Sequence, residues 1–292
     1  MLDLLSKELA SLSEKLQAYN IKLIIGGGYG LYLRTESLRK NNPRTFFNNI
    51  PIARSTEDLD IFLSIHLITS LEKMRTIRTV LNEMGYEPKP DAKFYQFWKQ
   101  VDLQGQSRRL KLDFLSPAIL GKESSLVVQR NRRIRPRATP NTLLAKNEQM
   151  HARITEEATS LEDYLDLLYI DDRNYVYIPH PFTYMILKLF AIKDHIEQPE
   201  TKGKAPHHSF DLYRTVAMLT ELEEQQATSL VDKYPNLSDQ ARNIIGVYFN
   251  NLDSLGTLSL RRYIIDNQPT IGNESVEVFL EYLRDLFNAK DL

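Results

Sequence analysis

Asp58 and Asp60 stand two apart in Arg54-Ser55-Thr56-Glu57-Asp58-Leu59-Asp60-Ile61. In a β-strand, residues i and i+2 share a face, so this spacing sets two carboxylates side by side. Adjacent carboxylates repel each other unless a cation lies between them, and hard oxygen ligands suit Mg2+. A third acid, Asp113, interrupts the apolar run Leu110-Lys111-Leu112-Asp113-Phe114-Leu115. A buried acid without a partner is costly, so Asp113 calls for a cation, either a metal or a salt bridge to Lys111 or an arginine. Upstream, Gly26-Gly27-Gly28 follows the apolar Leu23-Ile24-Ile25 directly. Glycines let the backbone bend sharply and leave amide N–H groups open to phosphate oxygens, above all where a helix starts next. These glycines match neither the dinucleotide fingerprint nor the P-loop. Each feature also has a plain structural reading: a tight turn, solvated aspartates, or a salt-bridged acid.

The elements that must position these residues follow from periodicity. Leu4, Leu5, Leu9, Leu12 and Leu16 predict an amphipathic helix over residues 2–19. Residues 22–25 predict a buried strand entering the glycine turn, and a helix is expected from Gly30 onward. The polar stretch 35–53 carries two prolines and is expected to be a loop or insertion. Strands are expected at 58–63, 95–101 and 109–115, with one helix over 67–84 between the first two. Residues 141–168 suggest a helix and 175–178 a short strand. From Phe182 onward nearly everything is amphipathic helix, apart from a polar break at 197–209. The expected fold class is therefore α/β (α+β), a small mixed sheet flanked by helices and followed by a mainly helical C-terminal domain. The expected domains are 1–180 and 181–292.

Composition narrows the setting. The net charge is −1, so polyanion binding needs a local patch. Arg130-Asn131-Arg132-Arg133-Ile134-Arg135-Pro136-Arg137 offers one, with five arginines in eight residues. It is either a solvated loop or a phosphate-binding surface for RNA. The chain has no cysteine, which excludes disulfides and thiolate metal sites and is compatible with a reducing cytoplasm. Its N-terminus, with charges among its apolar residues, is not expected to be a signal peptide, and no apolar run of about 18 residues predicts a transmembrane helix. His207-His208 is expected to be solvated, and Tyr95, Phe97 and Trp98 are expected to pack in the core, although one aromatic could stack a base.

The order of these features, a glycine-rich turn, then Asp-x-Asp on a strand, then an Asp on a later strand, resembles the nucleotidyltransferase superfamily of the DNA polymerase β type. Arg54-Ser55-Thr56-Glu57-Asp58-Leu59-Asp60 looks most like its AbiEii-like, abortive-infection toxin branch. Leu187-Lys188-Leu189-Phe190-Ala191 and Ser209-Phe210-Asp211-Leu212-Tyr213 are similar to that branch's helical lysine and later Asp-Leu-Tyr segment, without the arginine expected before Asp211. The resemblance spans roughly residues 22–215 and makes Thr35 to Ala53 an insertion. It implies a two-ion Mg2+ site held by Asp58 and Asp60, with Asp113 as third ligand or general base. It implies an NTP substrate cradled by Gly26, Gly27 and Gly28, with Ser55, Thr56 and Lys188 as further nucleotide contacts. Lys193 and Asp194 rank lower, and Asp211 would orient a lysine or cap a helix. The implied acceptor is an RNA, such as a tRNA 3′ end, bound by Arg130, Arg132, Arg133, Arg135 and Arg137. A toxin of a toxin–antitoxin pair, with a protein antitoxin as partner, fits that branch. The alternatives are a small-molecule, antibiotic-type nucleotidyltransferase and a non-catalytic nucleotide-binding or interaction protein.

Overall fold

The computed structural model describes residues 2–54, 56, 58–103, 105–119, 121, 123–137, 149–198 and 200–289. Two compact units emerge from its contacts: Met1–Arg34 with Arg54–Pro179, and Thr35–Ala53 with His180–Leu292.

The first unit opens with α1 (Leu2–Gln17), whose Leu5, Leu9, Leu12 and Leu16 recur at helical spacing and are all buried. After β1 (Ile24–Ile25) the chain turns at once into α2 (Gly27–Asn41), three residues earlier than the sequence suggested. The helix then runs on to Asn41, so the stretch expected to be a loop from residue 35 begins as helix. Residues through Arg34 belong to the first unit and Thr35 onward to the second. β2 (Asp58–Phe62) is followed by two helices in place of the single one expected: α3 (Ile65–Thr69) and α4 (Leu71–Glu83). The break falls at Ser70, whose hydroxyl accepts the Lys73 N–H and so starts a new helix.

A long antiparallel hairpin follows, β4 (Gln96–Leu103) with β5 (Gln106–Ser116), and the short β3 (Glu87–Pro88) pairs with β4. Next come β6 (Leu126–Val128), β7 (Arg133–Pro136), β8 (Ala152–Ile154), β9 (Asp166–Tyr169) and β10 (Tyr175–Ile178). The described part of the segment expected to be helical, 149–168, thus holds strands and turns; residues 141–148 lie outside the described residues. Among the described residues the strands form one mixed sheet in the order β6-β7-β8-β5-β2-β1-β10-β9, with β4 also on β5. The pairs β2–β5, β5–β8 and β1–β10 are parallel. Leu59, Ile61, Phe97, Leu110, Leu112 and Phe114 on one face share a core with the leucines of α1 and with Met74, Ile77 and Leu81 of α4.

The second unit is mainly helical: α5 (Pro181–Glu197), α6 (Ala205–Ala217), α7 (Glu221–Lys233), α8 (Pro235–Tyr248), α9 (Leu255–Asn267) and α10 (Asn273–Leu286). His180 caps α5 by accepting the Phe182 N–H, and Thr220 and Glu223 form a capping box on α7. The polar break expected at 197–209 is shorter, because Pro206 sits in the first turn of α6 and His207 and His208 are helical. The loop after α2 packs into this unit: Phe46 and Phe47 donate N–H bonds to the Leu219 and Ala217 carbonyls. Their rings lie 4.8 Å from Tyr282 and 5.5 Å from Tyr213.

Candidate functional site

The parallel pairing of β2 with β5 brings the three acids together. Asp58 lies in register with Lys111 and Asp60 with Asp113, so four charged residues occupy one patch of one sheet face. The opposite face is sealed in the core, which is why each strand alternates polar and apolar. Lys111 Nζ donates to Asp113 Oδ2 at 2.5 Å and lies 4.0 Å from Asp58 Oδ2. One ammonium therefore spans two of the three carboxylates. Asp113 Oδ1 is buried and has no hydrogen-bond partner.

The charges tune one another. Burial raises the Asp113 carboxyl above its ordinary value, with the Asp58 charge adding to it, and the Lys111 ammonium only partly reverses the shift. Burial works against the Lys111 ammonium, but its bond to Asp113 and the charges of Asp113, Asp58 and Asp60 outweigh it, and its pKa rises. Lys111 was foreseen as one possible salt-bridge partner of Asp113. Its reach to Asp58 follows from the parallel register, which no local pattern encodes.

The glycine turn meets this patch directly. Gly26 donates its N–H to the Asp60 carbonyl at 2.8 Å, and Gly27 takes a φ of +60°, where only glycine is unstrained. A Cβ at Gly27 would sit 1.9 Å from Asp60 Oδ2; one at Gly26 would meet the Phe62 ring at 2.4 Å; one at Gly28 would meet Arg54 Nη2 at 2.7 Å. The three glycines thus admit a ring, a carboxylate and a guanidinium. The Asp60 carboxylate lies against the first residue of α2, at the positive end of the helix dipole. Arg54, which no sequence pattern marked for a role, joins the site over Gly28. Thr56 is buried, with its hydroxyl donating to the Asp58 carbonyl at 3.4 Å. Ser55 lies outside the described residues.

The arginine-rich segment divides. β7 pairs Arg133 with Arg153 of β8, and β5 pairs Leu115 with Arg153, so Arg133, Arg135 and Arg153 line the same sheet face as the acids. The Arg133 guanidinium lies 4.6 Å from the Phe94 ring centre, and Phe94 stacks on His151 at 4.5 Å. Arg109 covers Trp98 at 4.5 Å. Of the three aromatics expected in the core, only Phe97 is fully buried; Tyr95 and Trp98 are half-buried. Arg130 is exposed, Arg132 reaches Glu156 at 3.8 Å, and Arg137 Nε donates to the Ser124 carbonyl at 2.8 Å. His151 is held neutral, with its pKa lowered to about 3 by burial and then by the charges of Arg133 and Arg135.

No family model matches this chain, and no curated protein matches it. The chain is similar in structure to a solved protein. That protein is described as an antigenic nucleotidyltransferase-like protein from Paracoccidioides brasiliensis, 13% identical, with a TM-score of 0.36 over 82% of this chain and 92% of that one.

In kind, the donor set fits a divalent cation: three carboxylates on one face, one of them with an unpartnered buried oxygen. In arrangement an ammonium already occupies the space between two of them. No group of three acidic or histidine side chains among the described residues gathers into a metal-ligand cluster, and Lys111 spans Asp58 and Asp113.

In the second unit, Lys188 is buried and donates to Asp211 Oδ2 at 2.9 Å. Arg214 Nη1 lies 3.8 Å from Asp211 Oδ1, and its Nη2 donates to the Thr35 hydroxyl at 2.7 Å. Asp211 thus holds the lysine, and any phosphate contact by Lys188 requires that pair to open. No helix among the described residues is long and apolar enough to cross a membrane.

Proposed function

We propose that this chain is a metal-assisted nucleotidyltransferase that moves an NMP group from an NTP to a hydroxyl acceptor. The observation that carries this reading is the contact between the Asp60 carboxylate and Gly27 at the start of α2, with Asp113 in register beside it. A triphosphate laid along the Gly27 and Gly28 amides, the Gly26 amide being bonded to the Asp60 carbonyl, would have its α-phosphorus near three carboxylates and the Arg54 guanidinium. Asp58 and Asp60 would hold Mg2+, with Asp113 as the third ligand. When bound, Mg2+ neutralises the triphosphate and the departing pyrophosphate. The acceptor oxygen attacks the α-phosphorus, the bond to the β-phosphate bridging oxygen breaks, and pyrophosphate leaves with that electron pair. A carboxyl whose pKa is raised by burial is suited to take the acceptor's proton, and Asp113 is that group.

We further propose an RNA acceptor in a cytoplasmic setting. Arg133, Arg135 and Arg153 share the face of the acids, and half-buried aromatics under Arg133 and Arg109 offer stacking surfaces for unpaired bases. The toxin role and a protein antitoxin rest on the AbiEii-like resemblance alone.

The test incubates the protein with Mg2+, each α-labelled NTP in turn and total RNA, beside Asp58→Ala. Label on RNA from the wild type alone is expected. Label on a small molecule instead would replace the acceptor, and an NTP that stabilises the fold equally well without metal would sink the metal-assisted account.

A further inference from the structure

The second unit contains a cavity of about 480 Å3 that the transferase reading does not use. This volume lies within the range of small-molecule sites. α7 contributes Glu224, Val231 and Asp232 to its wall, and α10 contributes Val278, Glu281 and Tyr282. Phe46 and Leu286 complete an apolar floor, and Asp285 adds a fourth carboxylate to the lining. No lysine or arginine lines the cavity among the described residues. Its second feature is independent of the acids. Tyr282 is only 8% exposed, lines the cavity, and has a hydroxyl without a hydrogen-bond partner. An unpartnered buried hydroxyl is destabilising unless a ligand or water engages it. Burial, followed by the charges of Glu224 and Glu223, pushes the Tyr282 phenol upward, so the hydroxyl stays neutral, able to accept a cation's N–H.

We infer that this groove binds an aliphatic polyamine: the carboxylates hold its ammonium groups, the apolar floor holds its methylenes, and the Tyr282 hydroxyl accepts one N–H. The Phe46 and Tyr282 rings, 4.8 Å apart, add π faces for a cation. A bare metal ion suits the site less well. No three acids among the described residues gather into a metal cluster.

The experiment titrates the full chain with spermidine by calorimetry. Asp232→Asn/Glu281→Gln is the first variant, since both side chains are exposed and their loss leaves the packing intact. Tyr282→Phe is the second, because it removes only the hydroxyl. Hexaamminecobalt(III), a trivalent cation without methylenes, is the comparator. Saturable binding is expected, weakened about tenfold by the double variant and about threefold by Tyr282→Phe, with the cobalt complex about tenfold weaker than spermidine. Absence of saturable binding overturns the inference. So does an affinity unchanged in the double variant, or a cobalt complex that binds as tightly as spermidine, which would mean generic attraction to a negative surface.

Discussion

Two clusters in this molecule join a lysine to an aspartate, and they are built to opposite ends. At the candidate site one lysine faces three carboxylates, and the side chains of Asp58, Lys111 and Asp113 keep 54%, 30% and 14% of their exposure. In the helical unit one carboxylate faces Lys188 and Arg214, and Lys188, Asp211 and Arg214 keep 7%, 0% and 0%. The first is left negative and open, which lets it accept a cation from solution. The second is sealed, with Lys188 bonded to Asp211 and Arg214 to the Thr35 hydroxyl. The same residue types thus serve reception in one place and packing in the other, with solvent access deciding which.

Breaking the sealed cluster should give the largest effect. Asp211→Ala takes the carboxylate away from the buried Lys188 and Arg214, and a loss of about 3–5 kcal/mol in the urea unfolding free energy is expected. A loss below about 1 kcal/mol would mean that water enters the cluster and that the contrast with the open site is false. Asp58→Ala, at a half-exposed carboxylate, should leave stability nearly unchanged while abolishing transfer.

A group between these extremes gives the next largest effect. His151 is 3% exposed beneath the arginine strand, and its folded pKa of about 3 lies below its ordinary 6.5. The unfolded chain then binds the extra proton, so stability is full above about pH 6.5 and is lost as pH falls toward 3. At pH 5 the expected loss is roughly 2 kcal/mol, from 1.36 kcal/mol per unit of depression. Thermal unfolding of the wild type and of His151→Phe from pH 7 to 4 checks it. If the two profiles run parallel, His151 is protonated in the fold.

Much of this was legible in the sequence because it is local. The leucines of α1, the alternation in β2 and β5, and the glycines before a helix announce themselves within a few residues. What stayed hidden depends on pairing over distance. Asp113 meets Asp60 only through a parallel register across 53 positions (113 − 60). Arg54 reaches Gly28 because glycine leaves room there, which no pattern around Arg54 reveals. The stretch from residue 35 looked like an insertion for its polarity, yet Thr35 accepts a hydrogen bond from Arg214 and the Phe46 and Phe47 rings pack on Tyr282 and Tyr213. Polar residues around a single aromatic pair hide a segment that is anchored at Thr35 and at Phe46-Phe47. Residues 149–168 failed for the converse reason: short strands joined by 3-10 turns leave too few residues for a period of two to stand out.

The smallest effect is the sharpest test of the open cluster. Lys111 occupies the space between Asp58 and Asp113, so a divalent cation entering there must displace an ammonium that those carboxylates already attract. Removing the ammonium removes the competitor. Lys111→Met should therefore tighten Mn2+ binding, followed by calorimetry or by its paramagnetic effect on water protons, about tenfold, or about 1.4 kcal/mol. Without metal the variant should be slightly less stable, because Asp113 loses its one counter-charge, and Mn2+ should restore it. Lys111→Arg should keep the wild-type affinity, since it keeps the charge. Lys188→Met supplies the contrast: it also removes an ammonium from an aspartate, but at a sealed site, where no concentration of Mn2+ should rescue the stability lost. Equal metal affinity in the wild type and Lys111→Met would mean that the lysine does not stand in the metal's place.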